Sequence, residues 1–181
     1  ALRANADVTV VREAEEAGSG ERFGRPAIFM TSARAFRDQP ELRHEVFGPS
    51  SLVVAADGEE ELHEVAESLE GQLTATIHAT PEELARQGAL VRALEKRGGR
   101  VIFNGFPTGV EVSPAMQHGG PYPATTSAAT TSVGTAAISR FAPPVAYQGF
   151  PEAALPPELQ DANPRGIWRL VNGEMTKAGT G

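Results

Sequence analysis

Leu52-Val53-Val54-Ala55, Leu73-Thr74-Ala75-Thr76-Ile77 and Val101-Ile102-Phe103 are three short apolar runs, and what separates them decides the fold class. Between the first two, Asp57 offers a cap and Glu59-Glu60-Glu61 fill a first helical turn, where the helix dipole favours negative charge. Leu62, Val65, Ala66 and Leu69 then recur at helical spacing, and Gly71 ends the run. Between the second and third, Thr80-Pro81-Glu82-Glu83 reads as a capping box with proline at the first helical position. Leu84, Val91 and Leu94 mark the buried side of that helix, and Gly98-Gly99 closes it. Gly88 in its middle costs about 1 kcal/mol against alanine. Strand, helix, strand, helix, strand with short joints predicts an α/β fold with three parallel strands, right-handed crossovers and flanking helices. Ligands in such sheets sit beyond the carboxyl ends of the strands. This rule points to the loop beginning at Asn104 and its continuation through His118.

Upstream, Val8-Thr9-Val10-Val11 is a short strand candidate, and Glu13 to Gly24 reads as an exposed acidic and glycine-rich connection. Pro26 to Thr31 is a buried-type strand, and Ser32 caps a short helix over Ala33 to Phe36. His44-Glu45-Val46-Phe47-Gly48-Pro49 follows. Residues two apart in an extended segment project to one face, so Glu45 and Phe47 address one ligand together before Gly48-Pro49 turns the chain. Downstream, Ala124 to Thr131 is small and polar, a loop; Ser132 caps a helix from Val133 to about Phe141, which Pro143 and Pro144 stop. Val145 to Gln148 is a late strand candidate, and the proline-rich stretch from Pro151 to Pro164 is expected to be extended.

Taken together, these segments resemble the NAD(P)-dependent aldehyde dehydrogenase superfamily. Glu45-Val46-Phe47-Gly48-Pro49 looks like its Glu-x-Phe-Gly-Pro signature. Asn104 to Val112, His118-Gly119-Gly120-Pro121-Tyr122-Pro123 and Ser132-Val133-Gly134-Thr135 follow in the family's order. The pattern is most like the branch of ketoglutarate semialdehyde dehydrogenases and NADP-dependent fatty aldehyde dehydrogenases. The resemblance implies that Glu45 grips the nicotinamide ribose of NAD or NADP through its two acceptor oxygens, with Phe47 against the nicotinamide. It also implies that Phe106, Pro107 and Val112 wall the aldehyde entrance and that His118 stands near the reacting aldehyde. From the residues alone, apolar side chains in such a loop are more often core or lid packing, and His118 is at least equally well a structural histidine that binds a carbonyl.

In this family a cysteine thiolate attacks the aldehyde, hydride leaves to the nicotinamide, and water hydrolyses the thioester. This chain has no cysteine. The resemblance places that cysteine, a glutamate base, an oxyanion-holding asparagine and the dinucleotide-binding domain upstream of Glu45, farther than residues 1–44 reach. The expectation is an incomplete catalytic domain: residues 1–141 are its later part, and 142–181 an oligomerisation strand and extended tail. The partners so implied are a small aldehyde, the remaining N-terminal part of the enzyme, and further copies in a homodimer or homotetramer. The other reading is a non-catalytic α/β binding or assembly module derived from that fold.

Composition limits the alternatives. A net charge of -7 over 181 residues, with no clustered Lys and Arg, argues against a nucleic-acid surface. No apolar run is long enough to span a bilayer and no signal-peptide core opens the chain, so a cytoplasmic protein is the default expectation. His44, His63 and His78 have no metal-ligand spacing, and no metal is expected.

Overall fold

A computed structural model describes residues 2–15 and 24–180. The chain divides into two compact units, Ala1–Phe141 and Ala142–Gly181. Most of the connection expected over residues 13–24 lies outside the described residues.

The first unit opens with β1 (Thr9–Glu13), β2 (Ala27–Ser32) and β3 (Ser50–Ala55), in which β2 pairs antiparallel with β1 and parallel with β3. Strict alternation makes β2 two-faced: Ala27, Phe29 and Thr31 are buried, while Ile28, Met30 and Ser32 are exposed. The register of β1 slips between Val10 and Arg12, a bulge on the outer strand. Helix α1 (Ala33–Asp38) starts at the end of β2 because the Ser32 hydroxyl accepts from Ala35 N at 3.1 Å, and it buries Ala33 and Phe36.

Next come α2 (Glu59–Ser68), β4 (Gln72–Ile77), α3 (Pro81–Arg86), α4 (Gly88–Glu95) and β5 (Gly98–Phe103), with β4 and β5 parallel. The fold is thus α/β with parallel pairing, yet the expected three-stranded sheet is corrected. β3 bonds β2, while β4 and β5 form a sheet of their own. The crossover rule fixes strand direction, not adjacency, and the apolar strand upstream of β3 is its actual neighbour. Helix α2 packs on both α1 and α4, so the helices form one layer beside both sheets. The core there is Ala66, Leu90 and Leu94, with Leu69, Ala75, Ile77 and Ala93 packed against it.

Two helix expectations also change. Gly58, not Asp57, is the N-cap of α2; the Asp57 backbone N–H instead donates to the Glu61 carboxylate at 2.9 Å. The single helix expected from Pro81 to the Gly98-Gly99 pair breaks at Gln87, whose ψ of 31° leaves helical geometry. Gly88 therefore begins α4 rather than weakening a helix interior, and the break lets α4 turn Leu90 and Leu94 inward.

Residues 104–134 contain no helix or strand. The helix expected from Ser132 is reduced to a 3-10 turn at Thr135–Ala137 and the short α5 (Ile138–Phe141), entered through Gly134 at φ 85°. A side chain at Gly134 would overlap the Ser113 carbonyl, so close backbone contact sets this entry.

In the second unit no strand forms at Val145 to Gln148; Tyr147 and Phe150 instead meet edge to face at 5.2 Å. The stretch expected to be extended contains a 3-10 turn at Glu152–Ala154. The strands are β6 (Arg169–Val171) and β7 (Glu174–Thr176), a hairpin turned by Asn172-Gly173 with φ of 50° and 89°. Among the described residues no helix is long and apolar enough to cross a membrane.

Candidate functional site

The loop carrying Glu45 and Phe47 is held at both ends and free at its apex. Leu42, buried in the 3-10 turn Pro40–Leu42, anchors its start. At its end Pro49 O accepts from Ala27 N at 3.0 Å and Gly48 O from Ser50 N at 2.8 Å. Between these anchors Phe47 is 96% exposed. Glu45 and Phe47 line one groove of about 570 Å³ with Leu2, Leu42 and Leu52. Among the described residues no donor reaches the Glu45 carboxylate, whose two oxygens are left for a ligand.

The second candidate segment starts at the carboxyl end of β5. Asn104 takes a left-handed φ of 49°, and its amide clamps the joint after β4: Nδ2 donates to Ala79 O at 2.8 Å and Oδ1 accepts from Ala79 N at 2.9 Å. Asn is among the few residues that enter this conformation readily. Arg100 then donates to Gly109 O at 3.0 Å, pulling the loop back along the strand. Phe106 stacks at 5.4 Å from the His78 ring, yet Phe106 is 78% and Val112 75% exposed, and Pro107 is exposed as well. These side chains are free to line an entrance.

His118 lies elsewhere. Its backbone N–H donates to the Thr131 hydroxyl at 2.8 Å, and its carbonyl accepts from Ser132 N at 3.0 Å. The following glycines run against the first residues of β4 and β5: a Cβ on Gly99 would overlap the Gly119 carbonyl, and one on Gly120 the Gln72 carbonyl. His118 is therefore near the amino end of β5 and Phe106 just past its carboxyl end, with roughly 13 Å of strand from Gly99 to Phe103 between them. The expectation of one site at the strands' carboxyl ends holds for the Asn104 loop only. Glu45 and Phe47, which precede β3, also lie toward strand amino ends. A groove of about 640 Å³ lined by Glu45, Leu73 and Pro123 puts Glu45 on the same side as the His118 segment.

Sequence reasoning missed the Asn104 clamp, His78 beside Phe106, and the close glycine contacts. A readable signal existed for the last: the paired glycines 98–99 and 119–120 are what a close approach of two backbones requires.

No family model matches the chain. The fold with its ordered loops is that of aldehyde dehydrogenases: an aldehyde dehydrogenase from Bacillus cereus, 23% identical, superposes on 72% of this chain and 24% of its own with a TM-score of 0.50. In sequence the likeness narrows to alpha-ketoglutaric semialdehyde dehydrogenases. That of Acinetobacter baylyi is 55% identical over 138 residues, 76% of this chain and 26% of its own. Alpha-ketoglutaric semialdehyde dehydrogenase 2 of Azospirillum brasilense is 46% identical over 171 residues, 93% of this chain and 33% of its own. The chain thus spans between a quarter and a third of the length of the curated relatives it matches.

Proposed function

We propose that this chain is the C-terminal portion of an NAD(P)-dependent aldehyde dehydrogenase that oxidises ketoglutarate semialdehyde to the acid. The observation that carries this reading is the Glu45 loop: a carboxylate with no donor among the described residues and an almost fully exposed ring, lining one groove on an anchored turn. Solvating such a ring serves no packing purpose, whereas a nicotinamide nucleoside would use both groups at once. Bound NAD(P) supplies the hydride acceptor. Glu45 accepts from the ribose hydroxyls and fixes the angle of the ring, Phe47 covers one flank, and Phe106, Pro107 and Val112 wall the aldehyde entrance. His118, whose imidazole can carry a proton on either ring nitrogen, serves proton transfer at the aldehyde end. The nucleophile comes from outside these residues, since the chain has no cysteine. Assembly into a homodimer or homotetramer, in the cytoplasm, belongs to the same reading.

The test begins with the intact mass of the protein made from the complete reading frame. A product well above 19.1 kDa that reduces NAD or NADP only when ketoglutarate semialdehyde is added supports the proposal. A complete product of this chain's own mass, binding no cofactor, would leave the non-catalytic α/β module as the better account.

A further inference from the structure

From Gly98 to Val112 the chain carries only two charged residues, Arg100 and Glu111. In β5 the side chains alternate, so Arg100 and Ile102 are half-buried while Val101 and Phe103 are exposed. Arg100 Nη1 donates to Gly109 O at 3.0 Å, and Gly109 stands midway in sequence between Phe106 and Val112. The one cation of this stretch is therefore fastened to the middle of the loop that offers Phe106, Pro107 and Val112 as exposed side chains.

A single carbonyl does not use up a guanidinium, whose N–H donors form a planar fork suited to both oxygens of a carboxylate. Among the described residues Arg100 makes no other hydrogen bond and joins no ion pair, and Glu111, the loop's own acid, is exposed and not paired with it. The three wall side chains are apolar and offer nothing to an acid. A carboxylate drawn into such an entrance is costly unless a donor meets it there. Arg100 is positioned to be that donor.

We infer that Arg100 is a specificity-determining residue that binds the carboxylate of the aldehyde substrate, with one nitrogen kept on Gly109 O and the rest of the fork turned to the acid. Ketoglutarate semialdehyde has its aldehyde at one end and its carboxylate at the other, so a cation in the entrance wall would hold the end that does not react. The inference rests on the proposed function, in which this loop walls the aldehyde entrance, and deepens it by separating acid-bearing aldehydes from neutral ones.

The test uses the protein made from the complete reading frame and compares ketoglutarate semialdehyde with pentanal, an uncharged aldehyde of the same carbon count. Selectivity is the ratio of the two kcat/KM values. The wild-type protein is expected to favour the semialdehyde by roughly thirty-fold or more, the effect of a hydrogen bond to a charged group. Arg100→Gln, which keeps an N–H for Gly109 O, lowers that ratio to within about three-fold of unity, mainly by raising the KM for the semialdehyde. Arg100→Lys, with the charge but not the fork, falls between the two. A wild-type ratio near unity overturns the inference without any variant. So does an equal loss on both aldehydes in Arg100→Gln, which would make Arg100 a tether of the loop and nothing more. Calorimetric titration with 2-oxoglutarate, the acid that the oxidation would yield, separates this inference from the proposed activity: the wild-type protein is expected to bind it at least about ten-fold more tightly than Arg100→Gln does. Turnover of both aldehydes with equal binding removes the carboxylate site and keeps aldehyde oxidation; binding that depends on Arg100 without turnover of either aldehyde does the reverse.

Discussion

At the scale of single residues, Glu45 and Phe47 make opposite demands on stability and function. Phe47 contributes almost nothing to packing, so Phe47→Ala is expected to shift unfolding of this chain by less than about 0.5 kcal/mol. If Phe47 flanks the nicotinamide as proposed, the same change in the full-length protein should raise the KM for NAD(P). Glu45→Gln keeps the shape and removes the charge, and misplacement of the reacting ring is expected to lower kcat by roughly 10²-fold, read in steady-state assays with saturating aldehyde. An unchanged kcat and cofactor KM in both variants would remove the cofactor role of this loop. Gly99 makes a structural demand instead. A methyl group there overlaps the Gly119 carbonyl, so Gly99→Ala should cost about 1–3 kcal/mol in denaturant titration because backbone, not a side chain, must move.

At the scale of elements, α3 offers a clean pH experiment. The Thr80 hydroxyl accepts from Glu83 N at 3.2 Å and the Glu83 carboxylate accepts from Thr80 N at 2.8 Å, a complete capping box. The bond from the Thr80 backbone, then that with its hydroxyl, and more weakly the Arg86 charge hold the Glu83 carboxyl below its ordinary range, against a small opposing effect of burial. A carboxyl whose pKa is lower in the folded chain stabilises it above the unfolded value and loses that contribution as pH falls through the folded one. Stability lost in that acid window is therefore expected to shrink in Glu83→Gln, measured by thermal melts across pH. Thr80→Ala should cost about 1 kcal/mol at neutral pH.

The same element shows how much of the fold could be read from sequence. The capping box was legible because its signal is local, four consecutive residues satisfying one another's backbone groups. The break at Gln87 was not, since the gain from turning Leu90 and Leu94 onto Ala66 is tertiary. Likewise the strands themselves could be read from apolar runs, but the partnership of β3 with β2 could not, because adjacency depends on polypeptide that a local pattern does not contain. Of the candidate site, Glu45 and Phe47 were legible as a pair and do share a groove. His118 was placed at the wrong end of the strands, because the tether from Arg100 that reverses the loop has no sequence signature.

At the scale of the whole molecule, the two units are built on different physics. The first has an apolar core between helices and strands. In the second, Asn163 is the sole buried residue among those described, and it donates to Ile167 O at 2.9 Å and Lys177 O at 2.8 Å. Arg169 adds a fork onto three carbonyls, those of Gln160, Asp161 and Ala178, at 2.6, 3.2 and 3.2 Å. Lysine lacks the planar fork, so Arg169→Lys should loosen this unit while leaving the exchange pattern of β2 untouched. A segment in which one guanidinium group gathers three carbonyls has an unusual vulnerability: the denaturant guanidinium chloride offers the same ion in molar excess to the same oxygens. Urea and guanidinium titrations should therefore rank the two units differently, with the tail surrendering first to the salt that imitates its own rivet.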